Sequence, residues 1–148
     1  MATRSRARLK GRKESGSFVL IPHELLESRN WSQCSPRAVK LFMDLYSQYK
    51  GKNNGDLCAA MGIMEKRGWT RSQSITEAVR ELVHYGLVEL TRQGGLNKPN
   101  LYAVTFKPVD DCKGKLDVPA TAVASGDWKQ VKPPYVKPAK KMPERQAF

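Results

Sequence analysis

The sequence predicts an α+β domain: a three-helix core followed by a β-hairpin, with basic tails that are disordered by composition. Three observations predict it. Apolar residues recur at three- and four-residue spacing in two long segments, residues 38–49 and 75–83. After Gly86 the apolar period changes from 3.6 to 2. The Lys and Arg excess is concentrated at the two ends, where large apolar residues are scarce.

The elements follow in order. Phe18, Val19, Leu20 and Ile21 form a short apolar run that suits a buried strand, and Pro22 opens one or two helical turns through Glu27. Ser35 followed by Pro36 is a helix start, because Ser accepts from a free first-turn amide and Pro has no amide to leave unsatisfied. Behind them Ala38, Val39, Leu41, Phe42, Leu45, Tyr46 and Tyr49 make one broad apolar face, ending at Gly51. Asn53-Asn54-Gly55 is a turn signal before a short strand at residues 56–59. A second helix covers residues 59–67, with Gly68 supplying a left-handed stop. Trp69-Thr70-Arg71 is a tight connection, and either Ser72 or Thr70 caps a third helix. Its stripe is Ile75, Ala78, Val79, Leu82 and Val83. Residues 87–92 and 101–106 then read as strands, joined by a polar loop rich in Gly, Asn and Pro. The expected organisation is a basic arm over 1–16, a folded domain over 17–107, and an irregular extension with a Lys/Pro-rich tail over 108–148.

Charge narrows the function. The 148 residues carry 26 Lys and Arg against 14 Asp and Glu, a net charge of +12. Residues 1–14 hold six of the bases against Glu14 alone, and residues 126–148 hold six against Asp127 and Glu144. Basic, flexible ends suit polyanion binding, since each Lys or Arg that neutralises a phosphate releases a condensed counterion. No apolar run reaches the roughly 18 residues of a membrane span, and no apolar stretch follows Met1 as a signal peptide requires. Cys34, Cys58 and Cys112 are odd in number and dispersed, which fits neither a disulfide framework nor a zinc site. A cytoplasmic protein is expected.

The succession of helix, short strand, helix, tight turn, helix and hairpin resembles a winged helix-turn-helix domain. The resemblance is carried by residues 36–106, and above all by Ser72, Ile75, Ala78, Val79 and Leu82 running into Tyr85-Gly86-Leu87-Val88. Residues 54–95 and 101–106 are similar to small winged-helix proteins of bacterial phages, plasmids and other mobile elements, among them regulators and single winged-helix domains of replication initiators. The resemblance implies binding of double-stranded DNA with the third helix in the major groove. With Ile75, Val79 and Leu82 inward, Gln73, Thr76, Glu77 and Arg80 face outward. Thr70, Arg71, Ser72 and Gln73 lie at the helix N-terminus, where free amides favour a phosphate. Gln73 suits adenine, and Arg80 or Arg71 suits guanine or a phosphate. Glu77 either accepts from cytosine or pairs with Arg80 or Arg71. The hairpin is the expected wing, offering Arg92, Gln93, Asn97, Lys98 and Asn100. Arg4, Arg6 and Arg8 resemble an arm that enters a narrow minor groove.

The aromatics Trp31, Phe42, Tyr46, Tyr49 and Trp69 read as core, and His23 and His84 as packing or surface residues. No metalloprotease, Cys-x-x-Cys or phosphate-loop motif occurs, and Asp110, Asp111 and Asp117 read as solvated loop acids rather than a metal cluster. The expectation is a DNA-binding protein with no enzymatic activity, no cofactor and no metal, and a homodimer is compatible with it. The alternative is a winged-helix module for protein contacts whose tails bind RNA or DNA without sequence choice.

Overall fold

The computed structural model describes residues 16–139. Arg4, Arg6 and Arg8 lie outside the described residues. Among the described residues the fold is α+β, with five helices and one small antiparallel sheet. The helices are α1 (His23–Glu27), α2 (Arg29–Gln33), α3 (Pro36–Tyr46), α4 (Met61–Met64) and α5 (Ser72–His84); a 3-10 turn, Glu65–Arg67, extends α4. The strands are β1 (Leu57–Cys58), β2 (Val88–Arg92) and β3 (Leu101–Val104), in the order β1-β3-β2.

Helix α3 forms as its sequence dictates. The Ser35 hydroxyl accepts from the Ala38 amide and Pro36 occupies the first turn. Glu81 of α5 completes the cap by accepting from both the amide and the hydroxyl of Ser35, each at 2.7 Å. Leu41, Phe42, Leu45 and Tyr46 are fully buried against Ile75, Ala78 and Leu82 of α5. The helix proper ends at Tyr46, short of Gly51, through tightened bonds from Gln48 and Tyr49 back to Leu45 and Tyr46. Trp31, Phe42, Tyr46 and Phe106 stack edge-on and tilted in the same core, so these aromatics are packing residues.

Four expectations are corrected. Residues 18–21 are extended but pair with no strand; Phe18 and Leu20 are 67% and 68% exposed, while Val19 and Ile21 pack on the core. The alternation is that of one extended edge lying on a helix. The first helical stretch restarts at Ser28, whose hydroxyl donates to Leu25 and accepts from the Trp31 amide, giving a second short helix that the sequence reading lacked. Val83, assigned to the α5 stripe, is 45% exposed, because it lies about 100° around the helix past Leu82, off the face on which Ile75, Ala78 and Leu82 are buried and Val79 packs.

The fourth concerns residues beyond 107. Among the described residues these hold no helix or strand longer than single 3-10 turns, yet as far as Lys137 they are docked on the domain rather than free. Trp128 is buried in the core, and the buried Asn30 of α2 holds the segment in place. Its Nδ2 sits 2.6–2.9 Å from the carbonyl oxygens of Tyr85, Trp128 and Gln130, and its Oδ1 accepts from Lys132. Farther on, the Tyr135 amide donates to the Tyr85 hydroxyl, and Tyr135 packs beside His84. Such anchoring is invisible to composition, since Pro- and Lys-rich chain has no period of its own. Asn30→Ala leaves buried carbonyls without a donor, so thermal or urea unfolding is expected to show a loss of about 1–2 kcal/mol.

Candidate nucleic-acid interface

Helix α5 is placed by the connection before it. Gly68, at φ +90°, makes the left-handed stop that the sequence predicts after the 3-10 turn. The buried Trp69 then ties the connection to α3: its indole donates to Asp44 at 2.7 Å, and Lys40, itself bonded to Asp44, lies over the ring. Arg71 is the N-cap residue, in extended conformation, and no side chain caps the helix. Neither Ser72 nor Thr70 performs the capping role expected of them; Ser72 is the first helical residue, and its carbonyl accepts from the Thr76 hydroxyl. The first-turn amides of α5 are therefore left for a ligand or water.

Thr70, Arg71, Ser72, Gln73, Thr76 and Arg80 are all exposed. Arg71 and Arg80 make no salt bridge among the described residues. Glu77 pairs with neither. It is held by Arg37 of α3 at 3.2 Å and by Lys137 of the C-terminal segment at 2.7 Å, and it accepts from Gln73 at 3.2 Å. The expectation of an Arg80 or Arg71 partner fails because α5 presents Glu77 toward the start of α3.

The hairpin carries its own rigidity. A bulge between Leu90 and Arg92 shifts the register, so that Leu90 faces Tyr102 and Arg92 faces Leu101. At the tip Gly95 and Lys98 exchange two backbone bonds of 3.0 and 3.1 Å around Leu96-Asn97, with Asn97 left-handed at φ +59°. A Cβ on Gly94 would strike the Lys98 carbonyl, so only glycine fits there. Arg92 and Asn100, expected as ligand donors, are used internally: Arg92 Nη2 donates to the Pro99 carbonyl at 3.1 Å, and Asn100 Oδ1 accepts from the Gly94 amide at 2.6 Å. The Gln93 amide donates to Asp117. The side chains of Gln93, Asn97 and Lys98 remain exposed, and Leu96 is 93% exposed.

Thr76 and Arg80 are brought together with the hairpin across a cleft of about 470 Å³, whose opposite wall is Pro99, Asn100 and Tyr102. Asn97 and Lys98 sit beyond it at the tip. On the other flank of α5, Arg37 and Lys137 meet Glu77, two residues that sequence reading did not connect with the site. They lie 40 and 60 positions from it, and no local signal could have found them.

Among the described residues, no group of three or more His, Cys, Asp and Glu side chains is arranged to hold a metal ion. Asp110 accepts from the Asn54 amide and Asp117 from that of Gln93, so both serve loop structure. All three cysteines are free thiols; burial, with the Glu81 carboxylate nearby, pushes Cys34 up to about 12. No helix of the described residues is long and apolar enough to cross a membrane.

The Lys137 hydrogen bond is the main cause holding the Glu77 carboxyl below its ordinary value. A lowered carboxyl pKa means that the pair stabilises the docked segment fully above pH 4.5, and that this contribution disappears as pH falls through the lowered value. A carbon-detected NMR titration of Glu77 in wild type and Lys137→Ala is expected to show the midpoint moving up in the variant.

Comparison of the chain with protein-family models, with curated proteins and with solved structures gives no match.

Proposed function

We propose that this protein binds double-stranded DNA sequence-specifically as a winged helix-turn-helix module, with α4 and α5 as the helix-turn-helix and the β2–β3 hairpin as the wing. The observation that carries the reading is the exposed row Gln73, Thr76 and Arg80 on α5, continuous with the uncapped helix start at Arg71 and flanked by the hairpin across one cleft. A major groove about 12 Å wide admits a helix, and outward Gln and Arg side chains supply the bidentate donors that separate adenine and guanine from other bases. Gln93, Asn97 and Lys98 offer phosphate or minor-groove contacts from the wing, while Arg92 holds the wing's shape. Arg4, Arg6 and Arg8 add an arm whose binding is electrostatic.

In this reading the protein is a non-enzymatic, cofactor-free transcriptional regulator or replication accessory protein of a mobile element, acting in the bacterial cytoplasm. A homodimer on a two-fold site is part of the proposal, because one small module buries little surface on DNA. The test is selection from a randomised duplex library at near-physiological salt, using the full chain. Enrichment of a defined motif is expected, and two half-sites in inverted repeat would establish the dimer. A pool retained without enrichment would leave only electrostatic binding by the tails, and no retention at all would exclude DNA as the partner.

A further inference from the structure

The C-terminal segment runs back along α5 on the flank away from the hairpin. Pro133 meets His84 through a 2.7 Å contact between its carbonyl and the ring Nε2. Tyr135 is bonded to Tyr85, and Lys137 reaches Glu77, so the segment passes from the C-terminal end of the helix toward its N-terminal half. Its last described ion pair falls on Glu77, a carboxylate beside the exposed row Gln73, Thr76 and Arg80 of α5. Glu77 stands one turn after Gln73 and one residue after Thr76, and its side chain is only 17% exposed. Arg37 closes over it from α3.

A carboxylate in that position opposes the approach of a phosphodiester backbone, because like charges brought within a few ångströms repel and no solvent layer screens them. Two cations on one carboxylate reverse the local sign, leaving a net positive edge beside Gln73.

Resting on the DNA-binding reading above, we propose that Lys137 is a positioning residue of the DNA interface: docked with Arg37 on Glu77, it masks the acidic group beside that α5 row, so that seating of the C-terminal segment and binding of duplex DNA reinforce each other. Lys137 acts through Glu77 rather than by direct contact with phosphate. The segment is thus part of the interface although, among the described residues, it contributes nothing longer than single 3-10 turns to the fold. The coupling is reciprocal: DNA that favours the masked face also favours the docked segment.

The test is a double-mutant cycle on the full chain, read as affinity for a mixed-sequence DNA duplex at low salt. Lys137→Ala is expected to weaken binding about tenfold, the size of a phosphate repulsion restored. In the Glu77→Gln background the same Lys137→Ala change is expected to cost less than about threefold, and Lys137→Arg, which keeps the charge, binds as wild type. A merely structural role for Lys137 would not be rescued by Glu77→Gln. Equal losses in both backgrounds overturn the masking and make Lys137 a direct phosphate contact, while wild-type binding by Lys137→Ala overturns its role altogether. Failure of the wild-type chain to retain duplex overturns the DNA reading itself, a result distinct from either.

Discussion

Asn54→Ala is expected to destabilise the fold by about 3 kcal/mol, the consequence of leaving several buried backbone groups without partners at once. Asn54 is fully buried in the turn before β1. Strand β1 is only two residues long and pairs with Leu101 and Tyr102, so on the β1 side of β3 Val104 has no strand beside it, its other side being paired with Val88 of β2. The Asn54 side chain takes that place: Oδ1 accepts from the Val104 amide at 2.9 Å, and Nδ2 lies 3.1 Å from the Val104 carbonyl. The same Nδ2 is within reach of the Lys107 and Pro108 carbonyls, and the Asn54 backbone exchanges bonds with Asp110. One amide therefore extends the sheet and turns the chain out of it. Asn54→Asp at neutral pH is expected to be at least as damaging, since a carboxylate would face three carbonyl oxygens. Urea unfolding with an unchanged m-value measures both. A loss below about 0.5 kcal/mol for Asn54→Ala, the level of an ordinary surface change, would show that water or a local shift replaces the amide.

The second large effect concerns recognition. Arg71→Ala, Gln73→Ala and Arg80→Ala are each expected to lower affinity for the selected duplex by about 1–3 kcal/mol where a base contact is lost, with preference relaxed at one base position. Arg80 stands at the cleft shared with the hairpin, and Arg71 at the uncapped helix start. Loss of Arg71 as a phosphate contact would instead weaken all sequences equally and reduce the salt slope by about one. Lys98→Ala, at the hairpin tip, is expected to behave in that second way. Selection repeated with each variant separates the two outcomes. Unchanged binding by Arg71→Ala, Gln73→Ala and Arg80→Ala together would refute the assignment of α5 as the recognition helix.

What the sequence by itself determined is the part of the molecule held by short-range physics. The Ser35 cap and Pro36 start, the apolar face from Ala38 to Tyr46, the left-handed Gly68 and the change to strand period after Gly86 each rest on contacts three or four residues apart, or on one residue's backbone preference. Those signals repeat along the chain and can be read without knowing the fold. The outward set Gln73, Thr76 and Arg80 was legible for the same reason, as the complement of the buried Ile75, Ala78 and Leu82.

Only the tertiary structure decided how the pieces are joined. Asn30 reaches carbonyls 55, 98 and 100 residues away, and Asn54 completes a strand 50 residues on. In a sequence these are two ordinary turn-type residues. Glu81 caps a helix 46 residues earlier, which pulls α5 and α3 into one frame and brings Glu77 to Arg37 rather than to Arg71 or Arg80. Arg92 and Asn100 looked like free donors and are held inside the hairpin, because a polar side chain in a tight loop bonds the nearest unpaired backbone group first. The docked C-terminal segment follows the same rule. Its Pro and Lys residues have no period to read, and its place on α5 is set by Trp128 burial and by hydrogen bonds whose partners are distant in sequence.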